Sequence, residues 1–445
     1  MRSKKPSKKK VGTFIDFLEE KIACLLWMDD VLLLSHNFEE LKKMLEITHR
    51  IASKYHIEFG KDKSKLMIIG DQNIPHELKI GDMSLDVCDM YKYLGMVINK
   101  LNNLTDQIKS IKGKTEITYQ TILALTGNEE MNEIEMAATW ELIENTIIPI
   151  ITYVSETWNP TEKEMKDLNS ILDNIIRRVL ITPYTTPRES LYIETGLMDP
   201  ETVSKKQQIL MNYKLRNSEQ ARNRKIAKNK ESLWYQKVNK TEQELSITNF
   251  DYRGNIGTVK SKVRKKAREY LKKKIEREAA NKSKVTSHLE KKQQWNIGMR
   301  SPYMNQLTRK QTSTIFKARS RMLPIKSNYK TAYITNKECR ACGTEEETQQ
   351  HVLQNCKELH VHTSTKVIND DIFNEEPNEL RTTANKINKT MERFERISQL
   401  KEKINGTKKK PVQQTNKRKK QMKSTNPAKK RKCEANCNQM TYATY

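Results

Sequence analysis

The chain has 445 residues, 82 of them Lys or Arg and 55 Asp or Glu, for a formal net charge of +27. A one-signed surplus of that size favours polyanionic partners, nucleic acid first among them, and a hydrophobic share of 36% limits a packed core to parts of the chain. No window approaches the roughly 18 consecutive apolar residues of a membrane-spanning helix, and seven cysteines, an odd number unevenly spread, argue against a disulfide framework and for a reducing compartment.

Residues 1–12 form a basic leader, followed by "TFIDFLEE", too short and acidic for a signal-peptide core. Residues 13–100 mix strand and helix patterns. Ile22 to Met28 and Val31 to Leu34 read as two apolar strands meeting at Asp29-Asp30. Phe38, Leu41, Leu45, Ala52 and Tyr55 recur at helical spacing and predict an amphipathic helix over 37–55. "KSKLMIIG" (63–70) reads as a strand, and 79–98 alternates like a hairpin.

Residues 101–217 are helical in pattern, with 136–154 apolar enough to be central in a bundle and Pro149 expected to kink or cap it. Residues 218–300 form a basic linker. Over 257–310 there are 17 Lys/Arg against 4 Asp/Glu, and Val259, Val263, Tyr270, Leu271 and Ile275 make only a thin apolar stripe, which predicts a long exposed basic helix or a charged linker. Arg264, Lys265, Lys266, Arg268, Lys272, Lys273 and Lys274 are candidates for sequence-blind, salt-sensitive phosphate contacts. Residues 301–380 regain aromatic and apolar content, and Trp295, Tyr303, Phe316 and Tyr329 are expected to serve packing more than base stacking. Residues 381–445 are basic, and their end is too poor in apolar residues to offset the entropy of ordering. Its two basic clusters, within 417–432, suit bipartite nuclear import and equally a nonspecific polyanion tether, either of which favours the nucleus.

Two sites of chemistry stand out. "CRACGTEEETQQHVLQNC" sets Cys339, Cys342, His351 and Cys356 in a C-x2-C-x8-H-x4-C pattern, four soft or borderline ligands suited to tetrahedral Zn²⁺ and a closed, structural site. Gly343 relieves the backbone after the first pair, and a helix from "ETQQHVLQNC" would bring His351 and Cys356 near one face. The second is Asp29-Asp30. Read locally, the pair is a solvated turn or a hard-oxygen site for divalent metal at a hairpin tip.

The order strand, "WMDD", strand, amphipathic helix, "FGKDKSKLM", "YKYLGMVI" resembles the palm of reverse transcriptases. Together with "ETW", "FKARSRML" and the Cys/His cluster, it is similar to non-LTR (LINE-type) retrotransposon reverse transcriptases of the Dong-like group, over about residues 20–380. The resemblance implies an α+β partial palm followed by a mostly α-helical thumb and linker, a small zinc module and a disordered basic tail. It implies Mg²⁺ on Asp29 and Asp30, Lys63 protonating the pyrophosphate leaving group, Tyr93, Leu94 and Gly95 as a primer grip, and an RNA template with a DNA target or primer as partners.

A complete palm of that family needs one more carboxylate from an earlier strand. Only 28 residues precede Asp29, and Asp16, 13 residues upstream, is too close for the usual order. The expectation is therefore a reverse-transcriptase fragment inactive alone, or, in a different class, a noncatalytic zinc-containing nucleic-acid-binding protein in the nucleus.

Overall fold

In the computed structural model, described over residues 13–15, 20–70, 77–249, 251–292, 294–329, 336–360 and 366–406, the first apolar run folds back on itself at its polar break. After an antiparallel pair β1 (Thr13–Ile15) and β2 (Glu20–Ile22), strands β3 (Cys24–Trp27) and β4 (Asp30–Leu33) form a hairpin with Trp27 opposite Asp30. The turn is Met28-Asp29, and Met28 takes the left-handed conformation (φ 52°) that two-residue hairpin turns require. The basic leader 1–12, Asp16 and the basic clusters of 417–432 lie outside the described residues.

Helix α1 (Phe38–Lys54) follows, its start fixed by Asn37, whose side chain accepts from Glu40 N at 2.8 Å. The expected strand over 63–70 shrinks to β5 (Lys65–Leu66). The expected single hairpin over 79–98 becomes two, β6 (Lys79–Ile80) with β7 (Met83–Ser84), and β9 (Met90–Tyr93) with β10 (Met96–Asn99); between them β8 (Asp86–Val87) pairs in parallel with β5. The first hairpin is set by Gly81 (φ +60°), where a Cβ would stand 2.5 Å from the His49 ring of α1. The described strands thus make five two-stranded pieces. Pieces this small cover little: the local core is Leu45, Leu78 and Ile80, while Leu26, Trp27 and Met28 are 67%, 61% and 92% exposed.

From residue 105 the chain is helical. Helix α2 (Thr105–Leu125) leads to α3 (Glu133–Leu142), which widens into a π turn over Ile143–Ile147 before α4 (Ile148–Ile151). Pro149 sits in the first turn of α4, where its missing N–H costs little, and the π turn takes up the break in the helical ladder. The remaining helices are α5 (Glu162–Val179), α6 (Arg188–Thr195), α7 (Pro200–Arg216), α8 (Ala221–Lys228), α9 (Leu233–Glu244), α10 (Ile256–Ala279), α11 (Ser283–Lys291), α12 (Tyr303–Gln306), α13 (Arg309–Arg319), α14 (Asn369–Phe373) and α15 (Pro377–Gly406). None is long and apolar enough to cross a membrane.

One continuous core runs from Leu104 to Phe394 and includes Trp140, Tyr192, Tyr303, Phe316 and Val352. Trp140 Nε1 donates to Met304 O at 3.1 Å across it. The chain divides into one compact unit of residues 1–398 and a second of 399–445. In the Cys/His segment, Cys339, Ala341, Val352, Leu353 and Cys356 belong to the main core.

The expected exposed basic helix is also corrected. Helix α10 packs on α7 and buries Val259, Val263, Ala267, Leu271, Ile275 and Ala279, an unbroken four-residue spacing that a count of large apolar residues overlooks because two members are alanines.

Buried charge ties these helices together. Arg188 binds Asp173 at 3.1 Å and Asp199 at 2.6 Å, Lys274 binds Glu201 at 2.8 Å, and Lys205 binds Glu201 at 2.6 Å and Glu244 at 2.8 Å. Burial opposes ionisation of Glu201, but Lys205 and Lys274 outweigh it and hold its carboxyl at about 2. A carboxyl lowered by folding stabilises fully above its unfolded value and loses that contribution as pH falls through the folded one. Unfolding free energy is therefore expected to fall by about 3 kcal/mol through Glu201 between about pH 4.5 and pH 2. Urea titrations across that range should show a shallower acid limb for Glu201→Gln; an identical limb would contradict the assignment.

Candidate metal centre and basic face

The segment after Lys337 closes into a small knuckle. Cys339 N donates to Glu345 O and Gly343 N to Cys339 O, both at 2.7 Å, and Glu338 bridges Glu346. Gly343 takes a φ of +78°, as the sequence predicts for the residue after Cys-x2-Cys. Arg340 locks the loop with paired bonds to buried Glu347 at 3.0 and 2.7 Å.

The second half differs from the expected α-helix. On a helix of about 3.6 residues per turn, two residues five apart point some 140° away from each other. Here His351–Asn355 is a π turn closed by Cys356 N donating to His351 O at 2.8 Å, which sets His351 and Cys356 side by side. The result is a group able to hold a metal ion: one ligand atom from each of Cys339, Cys342, His351 and Cys356 lies within 4.8 Å of the others, and Cys342 Sγ is 3.4 Å from His351 Nε2. Tetrahedral Zn²⁺, with Zn–S about 2.3 Å and Zn–N about 2.0 Å, separates its donors by roughly 3.5–3.8 Å, so the cluster fits with small adjustment.

The electrostatics point the same way. The hydrogen bond with Cys356 holds the Cys339 thiol down at about 5, and the same contact pushes Cys356 up. Burial opposes a charge on His351, yet its bonds to Cys342 and Cys339 raise it overall. Four groups contending for protons at one point form a site that a cation would relieve. His351 Nδ1 bonds Glu345 Oε2 at 2.9 Å, which leaves Nε2 facing the thiols. Sequence reasoning missed Glu345, since no ligand spacing marks an orienting carboxylate.

The polymerase candidates are less assembled. Asp29 and Asp30 are exposed at the tip of the β3–β4 hairpin, and among the described residues no third carboxylate, His or Cys joins them as a metal-binding group. Lys63 is exposed in the turn after Gly60, its carbonyl accepting from Tyr91 Oη at 2.7 Å, and no ion pair links it to either aspartate. Tyr93 ends β9, and Leu94 and Gly95 form the β9–β10 turn, which is seated on the helical part: Tyr153 Oη donates to Leu94 O at 2.9 Å, and a Cβ on Gly95 would stand 3.2 Å from the Tyr153 ring.

The basic candidates divide. Arg264, Lys265 and Lys273 are exposed and Lys266 half-exposed. Lys272 turns inward, its ammonium donating to Trp295 O at 3.3 Å and lying 5.3 Å from that ring. Lys274 is engaged by Glu201 and Asp199, and Arg268 packs beneath the Gly298 backbone. Tyr303 and Phe316 are fully buried, as expected of packing residues. No family model matches the chain, and no curated protein matches it.

Proposed function

We propose that the chain is a zinc-containing nucleic-acid-binding protein built on a LINE-type reverse-transcriptase framework. The observation that carries this reading is the closed set Cys339, Cys342, His351 and Cys356 in the core of a strongly basic chain. All four ligand positions come from protein, so Zn²⁺ there would hold structure and leave no open position for a substrate. Binding falls to the exposed cations, with Arg264, Lys265 and Lys273 neutralising phosphates of RNA or DNA in the nucleus.

Fluorescence anisotropy with labelled RNA and DNA oligonucleotides over a range of KCl concentrations tests the reading. The logarithm of the binding constant is expected to fall linearly with the logarithm of salt, with a slope of about −0.7 per contacted phosphate on single strands and about −0.9 on duplex DNA. Asp29→Asn should leave binding unchanged and Cys339→Ser should weaken it. Salt-independent binding, or none, would overturn the proposal.

A second reading is polymerase chemistry, favoured by the tight hairpin that presents Asp29 at its tip. Two carboxylates without a third partner stabilise a two-metal transition state poorly. Primer extension on an RNA template with Mg²⁺ is expected to be absent for both the parent and the Asp29→Asn/Asp30→Asn double variant; extension by the parent alone would establish the polymerase reading.

A further inference from the structure

The loop between α5 and α6 is held in shape by its own backbone and hydroxyl groups. Helix α5 ends in a Schellman pattern, with Ile181 N donating to Arg178 O at 3.3 Å and Thr182 N to Arg177 O at 3.0 Å. That ending prefers glycine, yet Ile181, a β-branched residue, takes the left-handed conformation here (φ 47°). Pro183, Tyr184, Thr185 and Thr186 then make a β-turn, closed by Thr186 N donating to Pro183 O at 3.0 Å. The Thr186 hydroxyl donates to the same carbonyl at 2.6 Å, and the Thr182 and Thr186 hydroxyls meet at 2.6 Å. Pro187 follows as the N-cap of α6.

Tyr184, at the second position of that turn, is 81% exposed, more than any other aromatic side chain among the described residues. The Arg177 guanidinium lies 5.5 Å from the centre of its ring. Arg177 is itself fixed, donating to Thr186 O at 3.1 Å and to Asn174 Oδ1 at 3.2 Å, and it makes no ion pair among the described residues. Asp173, which feels its charge, is taken by Arg188 at 3.1 Å and by the Tyr192 hydroxyl at 2.6 Å. Residues 174–188 carry three arginines and no carboxylate. An exposed flat ring on a fixed turn, beside a cation without a paired counter-charge, suits single-stranded nucleic acid. Every unpaired base offers a π-face to the ring, and the phosphates are drawn to the cation. A duplex keeps its bases stacked on one another and offers none to an outside ring. The turn is already ordered, so contact with it costs little further conformational entropy.

We propose that the Tyr184 ring, backed by Arg177, is a stacking platform for an unpaired base of single-stranded nucleic acid. The platform rests on the nucleic-acid-binding reading and narrows it, since exposed cations on α10 contact the phosphates of single strands and duplexes alike, whereas a stacking ring selects the single strand.

The test is anisotropy titration of a fluorescein-labelled single-stranded DNA, and of the matching duplex, with the full chain and its Tyr184→Ala and Tyr184→Phe variants. Tyr55→Ala, which removes another exposed tyrosine with an ammonium 5.4 Å from its ring, at the end of α1, serves as the reference. Tyr184→Ala is expected to weaken single-strand binding at least about fivefold and to leave duplex binding and the salt slope unchanged, because a neutral ring releases no counterions. Tyr184→Phe keeps the ring and should bind like the parent. Single strands carrying 2-aminopurine give the second readout: the base should be quenched on binding to the parent and to Tyr184→Phe, and less so with Tyr184→Ala. If the parent binds and Tyr184→Ala behaves like Tyr55→Ala, the platform is overturned and the nucleic-acid reading stands. Equal losses with the Ala and Phe variants would also overturn it, by placing the effect in the hydroxyl, as would an equal loss on single strand and duplex, the mark of a disturbed fold. If the parent binds neither, both readings fall.

Discussion

Chain prepared with zinc is expected to carry one equivalent of Zn²⁺, and Cys356→Ala is expected to lose the metal and several kcal/mol of stability. Structural zinc contributes on the order of 10 kcal/mol in isolated fingers, where the metal replaces a core. Here the ligands sit in a core already made by other residues: Cys339 and Cys356 are 1% and 0% exposed, beside Leu353 and Leu359. Removal of the metal alone should therefore loosen the 336–360 segment without unfolding the whole chain. Cys356→Ala adds a buried void to that loss. Cys342→Ser, at a half-buried position, should release the metal equally and cost less stability. Metal analysis with calorimetry, with and without 1,10-phenanthroline, checks this; full stability with no bound metal would refute the site. Glu345→Ala should weaken affinity about 10- to 100-fold while leaving the ligand set intact, the usual effect of removing an orienting carboxylate.

Glu194→Ala is expected to cost about 3–5 kcal/mol, the largest single effect for any charged residue of the chain. Glu194 is fully buried and receives His288 Nε2 at 2.6 Å, Lys292 Nζ at 2.8 Å, Arg319 NH1 at 3.3 Å and the Ser301 hydroxyl. Burial opposes its charge, but Lys292, Arg319 and His288 outweigh burial and hold the carboxyl well below its ordinary range. His288 is pushed down by burial, so the imidazole stays a neutral hydrogen-bond partner. Deleting the carboxylate strands two buried cations, Lys292 (5% exposed) and Arg319 (2% exposed). Arg319 keeps partial company in Glu375 Oε1 at 3.2 Å, Ile372 O and Asn374 O, which is why the expected loss stays within the range for one broken buried pair. Urea unfolding of Glu194→Ala, of Glu194→Gln and of Glu116→Ala makes the comparison. Glu116 pairs with Arg178 in the open at 2.7 Å, and its loss should cost less than about 1 kcal/mol. Equal effects at Glu194 and Glu116 would mean that the buried network contributes nothing beyond a surface pair.

The hairpin at Asp29-Asp30, the amphipathic α1 and the helices of the central region were legible because each rests on periodicity within a dozen residues. The Asp pair interrupts an apolar run and turns it, and Asn37 or Thr161 caps the helix that follows it. The four metal ligands were legible for the same reason, all falling within one stretch of 18 residues. How the short strands meet was not legible, because strand patterns of two to four residues set a local hairpin and say nothing of which pieces pair.

What only the tertiary structure decided depends on partners far apart in the chain. Glu194 meets His288, Lys292 and Arg319 at separations of 94, 98 and 125 residues. The run of basic residues on α10 looks uniform as a sequence. Packing sorts it, drawing Lys274 to Glu201 across 73 residues, laying Lys272 on Trp295, setting Arg268 against the Gly298 backbone and leaving Arg264 exposed. Even His351 and Cys356, close in sequence, needed the π turn to face each other. Composition and spacing determine which groups a chain can offer. Whether a given charge is paired, buried or free is set by the field of everything folded around it, and that field exists only once the helices have packed.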